Sequence, residues 1–185
     1  MIFALVSGEI GAGKTTICQK VVDSARTRGF TCGGLLTPAL IEHGRKVGIG
    51  GVDLLSGERR VMARIDRDLG GPRVGCYYFA ADAFPWANAV IASAVNSGCD
   101  LLVVDEIGPL ELVQGRGLAP ALDLLGAVPR ALVVVRLSLA DTLRNRLESK
   151  RWAMSIPPSL RVFVTTLHSR DDLPKEITAW LFDPH

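Results

Sequence analysis

Residues 1–20 read MIFALVSGEIGAGKTTICQK, and the nine from Gly8 to Thr16, GEIGAGKTT, decide how the rest of the chain is read. Three glycines fall within Gly8–Gly13, directly after the apolar run Ile2–Val6 and directly before Lys14, Thr15 and Thr16. Glycine inside regular structure costs about 0.5–1 kcal/mol relative to alanine, so a stretch this bare has a use for exposed backbone. The spacing satisfies G-x-x-x-x-G-K-[ST] as Gly8, Gly13, Lys14 and Thr15. A phosphate chain presents several acceptor oxygens and dense negative charge. Backbone N–H groups can meet it when side chains are out of the way, and a helix starting at Lys14 adds the positive end of its dipole. On this reading Gly8, Glu9, Ile10, Gly11, Ala12 and Gly13 form the cradle and the Lys14 ammonium reaches the β- and γ-phosphates. The Thr15 hydroxyl ligates Mg²⁺, and Thr16 serves the α-phosphate.

Outward from the loop, IFALVSG reads as a buried strand and TTICQKVVDSARTRG as a helix, with Ile17, Val21, Val22 and Ala25 on one face and a stop at Gly29. From Phe30 to about Ile65 short apolar runs alternate with turn-forming clusters, the pattern of antiparallel hairpins inserted after the first helix. RDLGGPRVG reads as a loop and CYYFAAD as a short strand; ADAFPWANAVIASAVNSG carries an apolar helical face. Then follow the strand LLVV, a helix near Leu118–Leu125, the strand ALVVVRL, the helix SLADTLRNRLESK with Ser138 and Asp141 spaced as a capping box, the strand RVFVTTL, and a helix with Pro174 in its first turn. Strands alternating with helices give an α/β chain: a three-layer P-loop NTPase fold, its mainly parallel sheet flanked by helices, in one domain over residues 1–185.

The second chemical signal is LLVVDEIG, residues 101–108. An ionised carboxylate ending a buried strand is costly unless a cation or strong donors compensate it. Mg²⁺ is such a cation, and Asp105 stands where it holds the metal beside Thr15. Glu106, ionised at neutral pH without any special shift, is the group to hold and polarise the water that attacks the γ-phosphate. A water-attack mechanism also wants positive charge beyond Lys14 and the metal. The arginines to consider are Arg45, Arg136, Arg144, Arg146, Arg151 and Arg170, with Arg136, ending an apolar strand, better motivated than those of a solvated helix face.

Composition narrows the function. The chain has 185 residues, 48% hydrophobic and 22% charged, as expected of a folded soluble domain. Its 21 basic and 19 acidic side chains leave a net charge of +2, too close to balance to indicate a nucleic-acid or membrane partner. Cys18, Cys32, Cys76 and Cys99 show neither zinc-ligand nor disulfide-framework spacing. No run reaches the roughly 20 apolar residues of a transmembrane helix, and the expected location is the cytoplasm. His43 falls in a hairpin turn and His168 in a late loop, neither at metal-ligand spacing. For Tyr77, Tyr78, Phe79, Phe84 and Trp86, core packing outweighs a base-stacking role.

With both motifs in view, the chain resembles the small nucleoside-triphosphatase family first known from thermophiles, which includes a cancer-related human member. GEIGAGKTT is similar to the family's phosphate loop, RVGCYYF to its VGxYxV segment, and VDEIGPLEL to its DEIGxMEL; the hairpin region is glycine- and arginine-rich in the same manner. The resemblance implies Mg²⁺-dependent hydrolysis of nucleoside triphosphates, broad in base, to diphosphate and phosphate. Two stretches depart from the family. Ala39–Ile41 stand where it has EVR, so an arginine is missing unless Arg45 or Lys46 substitutes, and His168–Asp171 stand where it has NRD. Two other functions use the same loop: a nucleotide or small-molecule kinase, which needs an acceptor pocket and a lid, and a nucleotide-binding adaptor resembling molybdenum-cofactor GTP-binding proteins. For the latter, no NKxD guanine-reading motif is found.

Overall fold

The computed structural model describes residues 1–150, 158–166, 168–169 and 171–183. In chain order the elements are β1 (Ile2–Gly8), α1 (Lys14–Thr27), β2 (Cys32–Leu36), β3 (Ala39–Glu42), β4 (Arg45–Asp53), β5 (Arg59–Arg64), β6 (Gly70–Val74), β7 (Tyr77–Ala80), α2 (Ala83–Asn96), β8 (Leu101–Ile107), α3 (Pro109–Leu112), α4 (Ala121–Leu124), β9 (Arg130–Val135), α5 (Ala140–Ser149), β10 (Ser159–Thr165) and α6 (Leu173–Phe182).

The apolar runs become strands covered on both faces, and their alternation supplies two cores. Phe3 and Leu5 of β1, Leu102 and Val104 of β8, and Val133 of β9 pack with Ile91 of α2 and Leu143 of α5 on one face. Ala4 and Val6, Val103 and Val134 pack with Ile17 and Val21 of α1 and Ile177 of α6 on the other. β10, β1, β9, β8 and β2 run parallel in that order, so the expected α/β arrangement with helices on both faces is present, in a sheet that is mixed as a whole. The hairpins after α1 do not stand apart from it. β4 pairs antiparallel with β2, and the sheet continues through β5, β7 and β6, with β3 folded back on β4. The β3–β4 turn places His43 at φ 49 and Gly44 at φ 73, the two positive angles that a two-residue hairpin loop requires.

Three local readings are corrected. RDLGGPRVG is not all loop: Gly70–Val74 forms β6 against β7, tolerating Pro72 because this strand lies at the sheet's edge. The helix near Leu118–Leu125 is Ala121–Leu124 followed by a 3₁₀ turn at Leu125–Ala127. Ser138 caps no helix, because a 3₁₀ turn at Leu137–Leu139 moves the start of α5 to Ala140. Pro174 does sit in the first turn of α6.

Gly34 in β2 is held at φ +100, and a Cβ there would lie 2.1 Å from the Val103 carbonyl oxygen in the neighbouring strand. Gly34→Ala is therefore expected to cost about 2–4 kcal/mol, from the left-handed backbone and the overpacking together. Urea unfolding checks this; a loss under about 1 kcal/mol would mean that the strands move apart freely.

Candidate functional site

β1 ends at Gly8, the chain turns through Glu9–Gly13, and α1 begins at Lys14. Gly11 and Gly13 hold φ 82 and 91, and a Cβ at either would meet nothing within 4 Å, so their bare backbone faces open space. The first-turn N–H groups of a helix lack intrahelical acceptors; here the Ile17 N–H is bonded to the Gly13 carbonyl at 3.0 Å, and no side chain caps the end. The Lys14 ammonium curls back to donate to the carbonyls of Gly8 and Glu9, both at 2.8 Å. Partial burial lowers its pKa, against the pull of Glu106, Asp105 and Glu9. The nine residues singled out thus run from the end of β1 through the turn into the first turn of α1.

β8 brings the carboxylates to the same end of the sheet. Asp105 is 1% exposed and its Oδ2 accepts the Thr37 N–H at 2.9 Å. Burial raises its pKa, while hydrogen bonds from Thr37 and from the Thr15 side chain, together with Lys14, act the other way. Between Val104 and Ile107, β8 carries one residue more than β9 does between Val133 and Val135, a bulge with Glu106 at φ 81. In a regular strand consecutive side chains point to opposite faces. The bulge releases Glu106 from that rule and turns its carboxylate, in contact with solvent, into a cleft. The cleft walls thin its hydration and, with Asp105 beside it, raise its pKa; Lys46, Arg136 and Lys14 oppose the rise.

β9 lies between β1 and β8, and the residue that follows it is Arg136. Its N–H donates to the Ile107 carbonyl at 3.2 Å, its side chain lines the cleft, and its charge is felt by both Lys14 and Glu106. Of the other arginines, Arg144 pairs with Glu148 on the exposed face of α5 at 2.9 Å, Arg146 is exposed two residues on, and Arg45 is exposed at the start of β4. Arg151 and Arg170 lie outside the described residues. Lys46, one residue on from Arg45, sits 5.4 Å from the Tyr77 ring centre and acts on Glu106. Sequence reasoning had only the missing EVR arginine as a pointer to it. His168 is exposed in the turn after β10.

Glu111, for which the sequence offers no role, is buried and structural: it accepts the N–H groups of Gly108 at 2.9 Å and Leu118 at 3.2 Å. It thereby fixes the turn that follows the carboxylate strand. The cleft enclosed by these elements has a volume of about 530 Å³. Tyr77, Phe79 and Phe84 line it instead of lying wholly in the core, whereas Trp86 is covered by Arg60 at 5.1 Å. Among the described residues no group of three His, Cys, Asp or Glu is placed to hold a metal ion, and no helix is long and apolar enough to cross a membrane.

Residues 4–178 match the model of a family described as NTPase. The chain is 34% identical over 173 residues to the nucleoside-triphosphatase THEP1 of Methanopyrus kandleri, covering 94% of this chain and 91% of that protein. It is 40% identical over 143 residues to that of Pyrobaculum aerophilum, covering 76% and 77%. In fold it is similar to a human cancer-related nucleoside triphosphatase, with a TM-score of 0.73 and 24% identity over the whole of both chains. The crystal structure of THEP1 from Aquifex aeolicus is also similar, with a TM-score of 0.68 and 20% identity over 98% of this chain and 99% of that one.

Proposed function

The chain belongs to the NTPase family, and from that premise we propose how it hydrolyses nucleoside triphosphates: a Mg²⁺-dependent attack of water on the γ-phosphate, oriented by Glu106. One observation carries the reading. Glu106 is held at φ 81 on a strand bulge, a conformation that costs an L-residue about 1–2 kcal/mol, beside a buried Asp105 and within the fields of Lys14 and Arg136. Strain of this kind persists where geometry is over-determined, as it is at reaction sites.

In this assignment Gly8, Glu9, Ile10, Gly11, Ala12, Gly13 and Thr16 hold the phosphates through backbone N–H groups and the α1 terminus, the arrangement of a Walker A loop. Lys14 lies along the β- and γ-phosphates, and Arg136 adds charge where the γ-phosphoryl group becomes more negative. Thr15 and the Walker-B Asp105 offer hard oxygen ligands. A magnesium shared with nucleotide phosphates needs only one or two of these from protein, and a buried carboxylate that burial holds above its ordinary pKa suits such a cation. When bound, the ion supplies neutralisation of the β- and γ-oxygens. Glu106 accepts the proton as the water oxygen bonds to the γ-phosphorus and the bond to the β-bridging oxygen breaks, giving nucleoside diphosphate and inorganic phosphate. The same reading takes residues 1–185 as one domain, supported by a sheet that recruits strands from Ile2 to Thr165, and places it in the cytoplasm, supported by four free thiols.

Phosphate release from ATP, GTP, CTP and UTP, followed with Mg²⁺ and after chelation with EDTA, tests the proposal. Turnover with several bases that falls at least about 100-fold on chelation and returns on adding Mg²⁺ is expected. Turnover indifferent to EDTA would exclude the Thr15–Asp105 assignment.

A further inference from the structure

A single attacking water occupies about 30 Å³, yet the cleft into which Glu106 turns encloses about 530 Å³, the size of pocket that holds a small organic ligand. Its direction follows from the reaction. In-line displacement puts the attacking atom opposite the bridging oxygen of the β-phosphate, so the nucleoside, beyond the β- and α-phosphates, points away from Glu106. The space beyond Glu106 therefore lies on the attacking side and is not taken by the base.

Its walls are largely apolar and come from the antiparallel half of the sheet and from α2: Ile49, Met62, Tyr77, Phe79 and Phe84. Phe79 and Phe84 stack with ring centres 4.6 Å apart and planes 24° from parallel, so each ring covers one face of the other. A second recess of about 310 Å³ adjoins it, sharing Val74, Gly75, Phe84, Leu110 and Gln114. Among the described residues, Arg73 and Arg116 are the charged ones lining that recess. The cleft is lined by the carboxylates of Asp105, Glu106 and Glu111 together with Arg136, and the recess by Arg116 and by Arg73, whose Nε donates to the Gly75 carbonyl at 3.2 Å.

We propose that this space is a binding site for an apolar organic anion, its anionic group against Arg73 and Arg116 and its body among Ile49, Met62, Tyr77 and Phe84. An occupant there displaces the attacking water and so controls whether the γ-phosphoryl group reaches it. The inference rests on the role given to Glu106 above.

8-Anilinonaphthalene-1-sulfonate, an aromatic sulfonate, is a suitable probe on the folded full-length chain. Fluorescence titration is expected to give one saturable site per chain, weakened about tenfold or more by Val74→Trp, which fills the junction of the two recesses, and about fivefold by Arg116→Ala. Circular dichroism checks that both variants fold. On the wild-type chain, where folding is not in question, the dye is expected to slow alkylation of Cys76 by N-ethylmaleimide about fivefold, read by mass spectrometry. Cys76 is the exposed cysteine among four and lines the cleft. Hydrolysis should be inhibited non-competitively with respect to nucleotide. Multiple weak sites, indifference to both variants, unprotected Cys76 or competition with nucleotide would each overturn the proposal. Binding and protection are read without turnover, so a chain that fails to hydrolyse nucleotide counts against the Glu106 reading separately.

Discussion

Glu106→Gln lowers kcat about 10²- to 10⁴-fold, the span that general-base catalysis contributes, and at the same time makes the metal- and nucleotide-free protein more stable at neutral pH. The two effects share one cause. Glutamine keeps the side chain's size but cannot take the proton of the attacking water. It also removes a negative charge that the thinned hydration in the cleft and the neighbouring Asp105 both disfavour. A carboxyl whose pKa is raised in the folded state stabilises the fold only while it is protonated. That contribution is complete below the ordinary glutamate pKa of about 4.3 and is lost as pH rises through the folded value. The advantage of glutamine is therefore absent near pH 4 and grows toward neutrality. Urea unfolding of both proteins in EDTA at pH 4.5 and pH 7.5, alongside phosphate release, measures it. A glutamine variant that turns over at the wild-type rate ends the assignment of Glu106; one whose stability advantage shrinks with rising pH contradicts the crowding of charge described at the bulge.

Lys14→Ala is expected to reduce kcat/KM about 10²- to 10³-fold, the usual effect of deleting one preorganised donor at a developing charge. Lys14 has a double duty. In the nucleotide-free loop its ammonium holds the carbonyls of Gly8 and Glu9, so the loop is already folded around the position from which the side chain swings to phosphate. Alanine removes both the closure and the charge. Lys14→Arg is not expected to restore activity, because a planar fork replaces a compact ammonium that fits between two carbonyls. Phosphate release with binding of a non-hydrolysable nucleotide separates the two losses; activity within about threefold of wild type in either variant would remove Lys14 from the mechanism.

The parts of this site that were legible in the sequence are those fixed by local chemistry. GEIGAGKTT needs no partner to specify a strand, a bare turn and a helix start, and LLVV followed by two acids marks a buried strand with an expensive end. The rest depends on pairing across the sheet. The bulge that frees Glu106 exists only because Val104–Ile107 is matched against Val133–Val135, and nothing within DEIG announces it. Gly70–Val74 has the glycines and proline of a loop, yet becomes a strand when β7 offers it an edge. Arg136 was distinguishable from the helical arginines because it ends an apolar strand. Lys46 and Arg45 were not distinguishable from each other, since the registers of a hairpin and of the sheet behind it decide which of two neighbours lies over Tyr77 and acts on Glu106.

The pairing of β1 also has a consequence in time. The strand that carries the phosphate loop is made before both its neighbours: Ile2 lies beside Arg130 on one side and Ser159 on the other. At about 5–20 residues per second the ribosome takes about ten to thirty seconds to supply β10. Throughout that interval the loop has its sequence but no seat, and a nucleotide in the cell meets a site only once the last strand has closed over the first.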